Sequence, residues 1–251
     1  MTYIEELFSL EGKVAIVTGA ARGNGKAIAE AFRAAHAAVV AVDILDTPDT
    51  LRIPECEYYK CDLTADEQLV ELVGHVADKY GRIDVLVNNA GVSYGQEFEN
   101  YSKEKWDLTY KVNLRAPFLL SQLVAEEMKR NSSGSIINIT SLNSELAFPD
   151  NPAYVTTKGA LKQLTKATAY DLGKYGIRAN NIAPGYMLTS MTKNSWNDPV
   201  KREERKNRTL LGRWGKSSDL AGAAVFLASD ASSFVTGQDL FVDGGWSIKG
   251  I

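Results

Sequence analysis

Tyr154 and Lys158 stand four residues apart in a stretch, Pro152–Tyr175, whose apolar residues recur at helical spacing, so both side chains project from one helix face. A free tyrosine titrates near ~10, too high for proton transfer at neutral pH, and a neighbouring ammonium favours the phenolate and lowers that value. Such a pair can exchange a proton with an alcohol or carbonyl oxygen. Ser141 follows the β-branched run Gly134–Thr140 and precedes Tyr154 by thirteen residues. At the carboxyl end of a parallel strand its hydroxyl can point into the ligand crevice and hold the reacting oxygen, or it can simply cap the strand. Asn113, in a helical stretch over Lys103–Asn131, can bend that helix or hold a water near Lys158. Tyr and Lys at this spacing also occur on many helices without chemistry, so their surroundings must carry the argument.

The surroundings include a glycine-rich turn, Thr18-Gly19-Ala20-Ala21-Arg22-Gly23-Asn24-Gly25, which follows an expected strand and opens an expected helix. Glycines permit a tight turn and close approach of the backbone to a pyrophosphate, and the helix N-terminus offers unpaired N–H groups. The bland reading is a strand-to-helix connection. Asp43 ends the next strand, where a carboxylate accepts both hydroxyls of an adenosine ribose and repels a 2′-phosphate. Arg22 pulls toward that phosphate but can swing into solvent. Asp43 therefore predicts NAD, with NADP less favoured. Asn88-Asn89-Ala90-Gly91 closes the fourth strand with small and amide residues that let a nucleotide approach the backbone, or it is a plain turn.

The elements that must position these groups alternate along the chain. Strand-like runs at Val14–Thr18, Ala38–Asp43, Glu57–Lys60, Asp84–Asn88, Gly134–Thr140, Ile177–Ile182 and Asp239–Val242 are separated by helical patterns at Gly25–His36, Asp66–Tyr80, Lys103–Asn131, Pro152–Tyr175 and Ser218–Ser229. This alternation predicts an α/β fold, a Rossmann-type doubly wound parallel sheet of about seven strands with helices on both faces. No linker or repeat interrupts it, so residues 1–251 read as a single domain. The polar stretch Met187–Arg213 breaks the rhythm and reads as a substrate lid, or as a solvated helical excursion around Pro199–Thr209.

Composition narrows the partners. With 28 basic and 31 acidic residues and a net charge of −3, nothing favours nucleic acid or an anionic membrane. No apolar run reaches the ~18 residues of a membrane span, and the N-terminus does not read as an export signal. Cys56 and Cys61 are the only cysteines, which suits a reduced cytoplasmic protein. His36 and His75 lack neighbours at metal-binding spacing, so no metal is expected. A small-molecule alcohol or ketone is the expected partner.

Taken together, Thr18-Gly19-x3-Gly23-x-Gly25, Asp62, Asn88-Asn89-Ala90-Gly91, Asn113, Ser141, Tyr154-x3-Lys158 and Pro184-Gly185 closely resemble the short-chain dehydrogenase/reductase family, in its shorter subgroup. The resemblance runs from about Leu10 to Trp246. It implies that Tyr154 is the acid/base, that Lys158 lowers its pKa and binds the nicotinamide ribose, that Ser141 orients substrate, and that Asn113 holds a relay water. It also implies that Asp62, with Leu63 beside it, meets the adenine, that Asn89, Ala90 and Gly91 line the nucleotide, that Pro184 and Gly185 lie by the nicotinamide, and that Thr189 contacts its carboxamide. Hydride then passes directly between nicotinamide and substrate carbon. Asn24 departs from the family, whose members mostly carry Ile or Leu there.

The tail, with Gly212-Arg213-Trp214-Gly215 and Val235–Trp246, is similar to gluconate 5-dehydrogenase-like and 3-oxoacyl reductase-like members. Tyr94, Asn143, Ser144, Glu145 and Tyr186 are polar candidates near the crevice and favour a hydroxylated substrate, and Arg202, Arg205 and Arg208 could meet a carboxylate. The leading expectation is an NAD(H)-dependent interconversion of a secondary alcohol and a ketone on a sugar, polyol or sugar acid. The alternatives are a 3-oxoacyl thioester reductase, a non-catalytic nucleotide sensor and an extended-type sugar epimerase or dehydratase. The resemblance also implies a homotetramer that pairs the helices at Lys103–Asn131 and Pro152–Tyr175.

Overall fold

The computed structural model describes residues 2–46 and 52–249. Seven strands, β1 (Val14–Thr18), β2 (Ala38–Asp43), β3 (Glu57–Lys60), β4 (Val85–Asn88), β5 (Gly134–Ile139), β6 (Ile177–Pro184) and β7 (Asp239–Val242), form one sheet in the order β3-β2-β1-β4-β5-β6-β7. All neighbouring strands are parallel. The order reverses between β1 and β4, so the turns after these two strands flank a crevice at the carboxyl edge of the sheet, where open α/β sheets receive ligands.

Because side chains alternate across a strand, each central strand feeds two cores. Ala15 and Val17 of β1 join Ile28, Ala29 and Phe32 of α2 (Gly23–Ala34) and Leu220, Ala224 and Leu227 of the segment ending in α9 (Ala221–Ala228). Val14 and Ile16 face the other way, against Leu69, Leu72 and Val76 of α3 (Asp66–Tyr80) and Leu120, Val124 and Met128 of α5 (Ala116–Arg130). The doubly wound sheet predicted from the alternating runs is therefore present, with helices on both faces.

The helix over Lys103–Asn131 is not continuous. It divides into α4 (Lys103–Tyr110), a wide turn of π geometry at Lys111–Arg115, and α5. Asn113 sits in that turn, and its side chain bonds to the backbone of Val92 in the loop after β4, not to the backbone of its own helix. The last long helix, α6 (Pro152–Leu172), ends in a tight turn at Gly173–Tyr175, and β6 runs on to Pro184, two residues past its expected end. A short N-terminal helix, α1 (Tyr3–Phe8), carries a capping box from Thr2 and Glu5 that the sequence reading missed.

Asn88, Asn138, Asn181 and Asp239 occupy one row across β4 to β7. Asn88 Nδ2 donates to Asn138 Oδ1 at 2.8 Å, Asn138 Nδ2 to Thr165 Oγ1 at 2.7 Å, Thr165 Oγ1 to Asn181 Oδ1 at 2.6 Å, and Asn181 Nδ2 to Asp239 Oδ1 at 2.7 Å. The row ends at Lys162, 3.5 Å from Asp239 and also paired with Glu145.

Candidate active site

The glycine-rich turn leaves β1 at Thr18 with Gly19 at φ +64° and Gly23 at φ +57°, conformations that side-chain-bearing residues rarely adopt. A Cβ on Gly19 would lie 2.9 Å from Ala90 Cα, and one on Gly25 would strike the Gly19 carbonyl and Asn89 Nδ2. The turn after β4 is bound to it: Asn89 Nδ2 donates to the carbonyls of Thr18 and Gly19 at 2.8 and 3.2 Å, and the amides of Asn89 and Ala90 donate to Thr18 Oγ1 at 3.0 and 3.1 Å. Asn89 thus holds the turn itself.

Helix α2 opens at Gly23, and its N-cap residue, Arg22, makes no side-chain capping bond. Its first N–H groups are left for an anion, as a pyrophosphate cradle requires. Asp43 Oδ2 accepts from the Ala21 amide at 3.0 Å and Oδ1 from Leu45 at 3.1 Å, which holds the carboxylate beside the turn with lone pairs to spare. Exposed Arg22 lines a cavity of about 510 Å³ with Gly23, Thr189, Lys193 and Trp196. Asp62 follows β3, and its Oδ1 accepts from the amide and hydroxyl of Thr64 at 2.9 and 2.8 Å, while Leu63 packs against the core. Pro184 ends β6, and Gly185 lies so close to Asp243 that a Cβ would fall 2.8 Å from its Cα. These residues fit a dinucleotide along the crevice.

Asn24, the departure from the family pattern, accepts a hydrogen bond from the Ser217 hydroxyl at 2.8 Å. A polar residue at that point joins α2 to the tight turn Ser217–Leu220 where an aliphatic one would pack.

Beyond the crevice, Ser141 leaves β5 and caps the short turn Leu142–Ser144. Its Oγ donates to Asn143 Oδ1 and accepts from the Asn143 amide, both at 3.1 Å. Lys158 is buried, and its ammonium donates to the Ile139 carbonyl at 2.7 Å, with Nζ 5.6 Å from the centre of the Tyr154 ring. Burial pushes Lys158 down to about 8. Burial also raises the Tyr154 phenol above its ordinary value, the Ser141 hydroxyl beside it pulls the other way, and Tyr186 adds a further push upward. In this arrangement the Lys158 ammonium donates to the Ile139 carbonyl, and the group that pulls the Tyr154 value down is Ser141. Asn113 is fully buried, accepts from the Val92 amide and donates to the Val92 carbonyl, both at 2.9 Å, and lies 3.4 Å from Thr157 Oγ1. A Cβ on Gly91 would meet both Asn113 Oδ1 and Lys158 Nζ, at 3.4 and 3.7 Å, so these two groups flank the same backbone.

Of the substrate candidates, Asn143 and Tyr186 adjoin Ser141 and Tyr154. Tyr94 lies in the loop after Gly91, its carbonyl accepting from Tyr101, and among the described residues no hydrogen bond or ring contact joins it to Ser141 or Tyr154. The sequence reading missed an aromatic wall: Tyr186 stacks on Trp246 at 5.1 Å, Phe148 meets both, and Trp214 links Tyr186 to Trp196. These rings are far apart in the chain, and no local pattern marks them. The stretch Met187–Arg213 forms α7 (Lys193–Asn197) and α8 (Pro199–Arg208), held by Trp214 Nε1 donating to the Arg202 carbonyl at 2.9 Å and by a bridge between Met187 and Gly215.

The crevice at the strand reversal, with the glycine-rich turn and the turn after β4 on its walls, is that of a dinucleotide-dependent oxidoreductase. A family model described as enoyl-(acyl carrier protein) reductase matches residues 19–247. The chain belongs to the short-chain dehydrogenase/reductase family and is an oxidoreductase acting on CH–OH groups with a nicotinamide dinucleotide, NAD or NADP. It is 40% identical to gluconate 5-dehydrogenase of Gluconobacter oxydans over 97% of this chain and 98% of that one. It is 36% identical to an NAD-dependent glycerol dehydrogenase of Listeria innocua over 96% of each chain. Among solved structures, a gluconate 5-dehydrogenase from Burkholderia cenocepacia in complex with NADP and tartrate superposes with a TM-score of 0.93, at 36% identity, covering 99% of this chain and all of the other. The lower standing given to NADP is therefore not supported at the level of the family.

Proposed function

We propose that this protein interconverts a secondary alcohol and a ketone on a sugar acid. The observation that carries the reading is the convergence of Ser141, Tyr154 and Lys158 at the carboxyl end of β5, beside the glycine-rich turn. The gluconate-type names of its relatives point to the same substrate class.

In the reducing direction, Ser141 holds the carbonyl oxygen while Tyr154 gives it a proton, and in the oxidising direction the Tyr154 phenolate takes that proton back. The bound nicotinamide supplies or accepts the hydride. Lys158 stabilises the phenolate as it forms, and its second task is the nicotinamide ribose. Asn113 fixes the backbone at Val92 and so the shape of the floor beneath Lys158, where a relay water would sit. Gly19, Gly23, Gly25, Asn89, Ala90, Gly91, Asp62, Leu63, Pro184, Gly185 and Thr189 line the dinucleotide. Asp43, hydrogen-bonded against the turn, repels a 2′-phosphate and Arg22 attracts one, so the two charges together set the balance between NAD and NADP. α7 and α8 act as the substrate lid.

The deciding experiment is a panel of sugar acids and polyols oxidised with NAD and NADP, with 3-oxoacyl thioesters run in the reducing direction. Thioester turnover without sugar-acid turnover would replace this reading with the 3-oxoacyl reductase one, the activity named for a Thermotoga maritima relative 39% identical to this chain. The exposed Trp106, Tyr110 and Phe118 on the α4–α5 side and Tyr170 on α6 suit the paired-helix face of a homotetramer in the cytoplasm. Sedimentation at micromolar concentration tests the assembly, and a monomer there would refute it.

A further inference from the structure

A sugar acid differs from a polyol by its carboxylate, and selecting it calls for a cation near Tyr154. The basic residues of α8 do not all face solvent. Arg202 sits over the outer Trp196, 5.5 Å from its ring centre, and Arg208 is exposed. Arg213, just beyond α8, is held by both carboxylate oxygens of Asp219, at 2.6 and 3.1 Å. Arg205 is different: its guanidinium lies over the Tyr186 ring, with Cζ 5.0 Å from the ring centre, and the side chain is only 19% exposed. Glu204 takes Nη1 at 2.9 Å, while Nε is buried and has no hydrogen-bond partner among the described residues. A buried donor left unpaired is costly, and a planar guanidinium edge is shaped for a carboxylate.

Resting on the sugar-acid reading above, we propose that Arg205 is a specificity-determining residue whose guanidinium receives the substrate carboxylate. Tyr186 carries Arg205 on its ring face and stacks on Trp246, and its phenol is one of the groups that raise the Tyr154 pKa, so Tyr186 connects the cation with Tyr154. A substrate anchored there keeps its carboxylate several carbons from the carbinol that reacts. A neutral polyol reaches Tyr154 without that anchor, and Arg205 then keeps only its pairing with Glu204.

The test compares D-gluconate with D-glucitol, its neutral counterpart, in wild type, Arg205→Gln and Arg205→Lys. A charge-assisted hydrogen bond of the ordinary size predicts that Arg205→Gln lowers the gluconate-to-glucitol ratio of kcat/KM by about tenfold or more, mostly through the gluconate KM. Arg205→Lys keeps the charge and retains more of that ratio. A merely structural clamp on Tyr186 would lower both substrates together and leave the ratio unchanged, which overturns the assignment, as does a gluconate KM that does not move. Wild-type protein that oxidises neither compound overturns the functional reading and this assignment with it, whereas wild-type turnover of gluconate with an unchanged ratio in Arg205→Gln sinks the assignment alone. NADH titration of each variant verifies that the fold is kept.

Discussion

The Ser217 hydroxyl donates to Asn24 Oδ1 at 2.8 Å across 193 residues of sequence, tying the first turn of α2 to the chain that follows α8. Ser217 follows Gly215, which is bridged to Met187, and Arg213, which is paired with Asp219. A net hydrogen bond of this kind contributes ~0.5–1.5 kcal/mol. Ser217→Ala and Asn24→Leu should each lower the thermal midpoint by roughly 2–4 °C, and the double variant should lose little more than either alone. Full additivity in a calorimetric cycle would show that the two residues act independently.

Replacing Tyr154 with Phe removes the transferable proton and leaves the ring. Turnover should fall by about a thousandfold, and NADH affinity, read by nicotinamide fluorescence, should stay within about twofold. Ser141→Ala should cost about a hundredfold, since it removes one hydrogen bond to the reacting oxygen. Wild-type turnover in Tyr154→Phe would rule out the assigned acid/base.

Lys158 gives a signed pH prediction. Burial lowers its pKa from 10.5 to about 8, so between these values the unfolded chain binds more protons than the native one, and stability rises with pH across that window. The urea midpoint of wild type should therefore rise relative to Lys158→Met between pH 8 and pH 10. Catalysis goes the other way, because reduction needs the ammonium to stabilise the Tyr154 phenolate as it forms, and kcat should fall above about pH 8. A flat profile to pH 10 would mean that Lys158 stays charged.

In the proposed function, the opposing charges of Asp43 and Arg22 set cofactor choice. Asp43→Ser removes the carboxylate beside the Ala21 amide and should strengthen NADPH binding by about tenfold or more while weakening NADH. Titration of wild type with both dinucleotides comes first, and a clear preference for NADPH there would overturn the role given to Asp43.

The strand-and-helix alternation was legible because hydrophobic periodicity is local: the limits expected for β1, β2, β3, β7 and α3 match those of the fold. Tyr154, Lys158 and Ser141 were legible as residues, and the family pattern brought them together. Their electrostatics were not. A four-residue spacing suggests that Lys158 acts on Tyr154, but nothing local shows that its ammonium is turned to Ile139 or how deeply both groups lie. The aromatic wall of Phe148, Tyr186, Trp196, Trp214 and Trp246 was equally hidden, since its members meet only through tertiary contact. The break in the helix after β4 was also hidden, because a π turn keeps the apolar periodicity nearly intact on either side.

Asn88, Asn138, Asn181 and Asp239 matter for how the second half of the sheet finds its alignment. A slip of one residue in any of β4 to β7 would send an amide or carboxylate to the opposite face, among Ile137, Ile139 and Ile182, and strand its neighbour's donor without a partner. An all-aliphatic row would tolerate such a slip with little penalty. These four side chains therefore act as a key that only one alignment turns, and that alignment is the one in which Asn89 and Ser141 emerge together at the same edge.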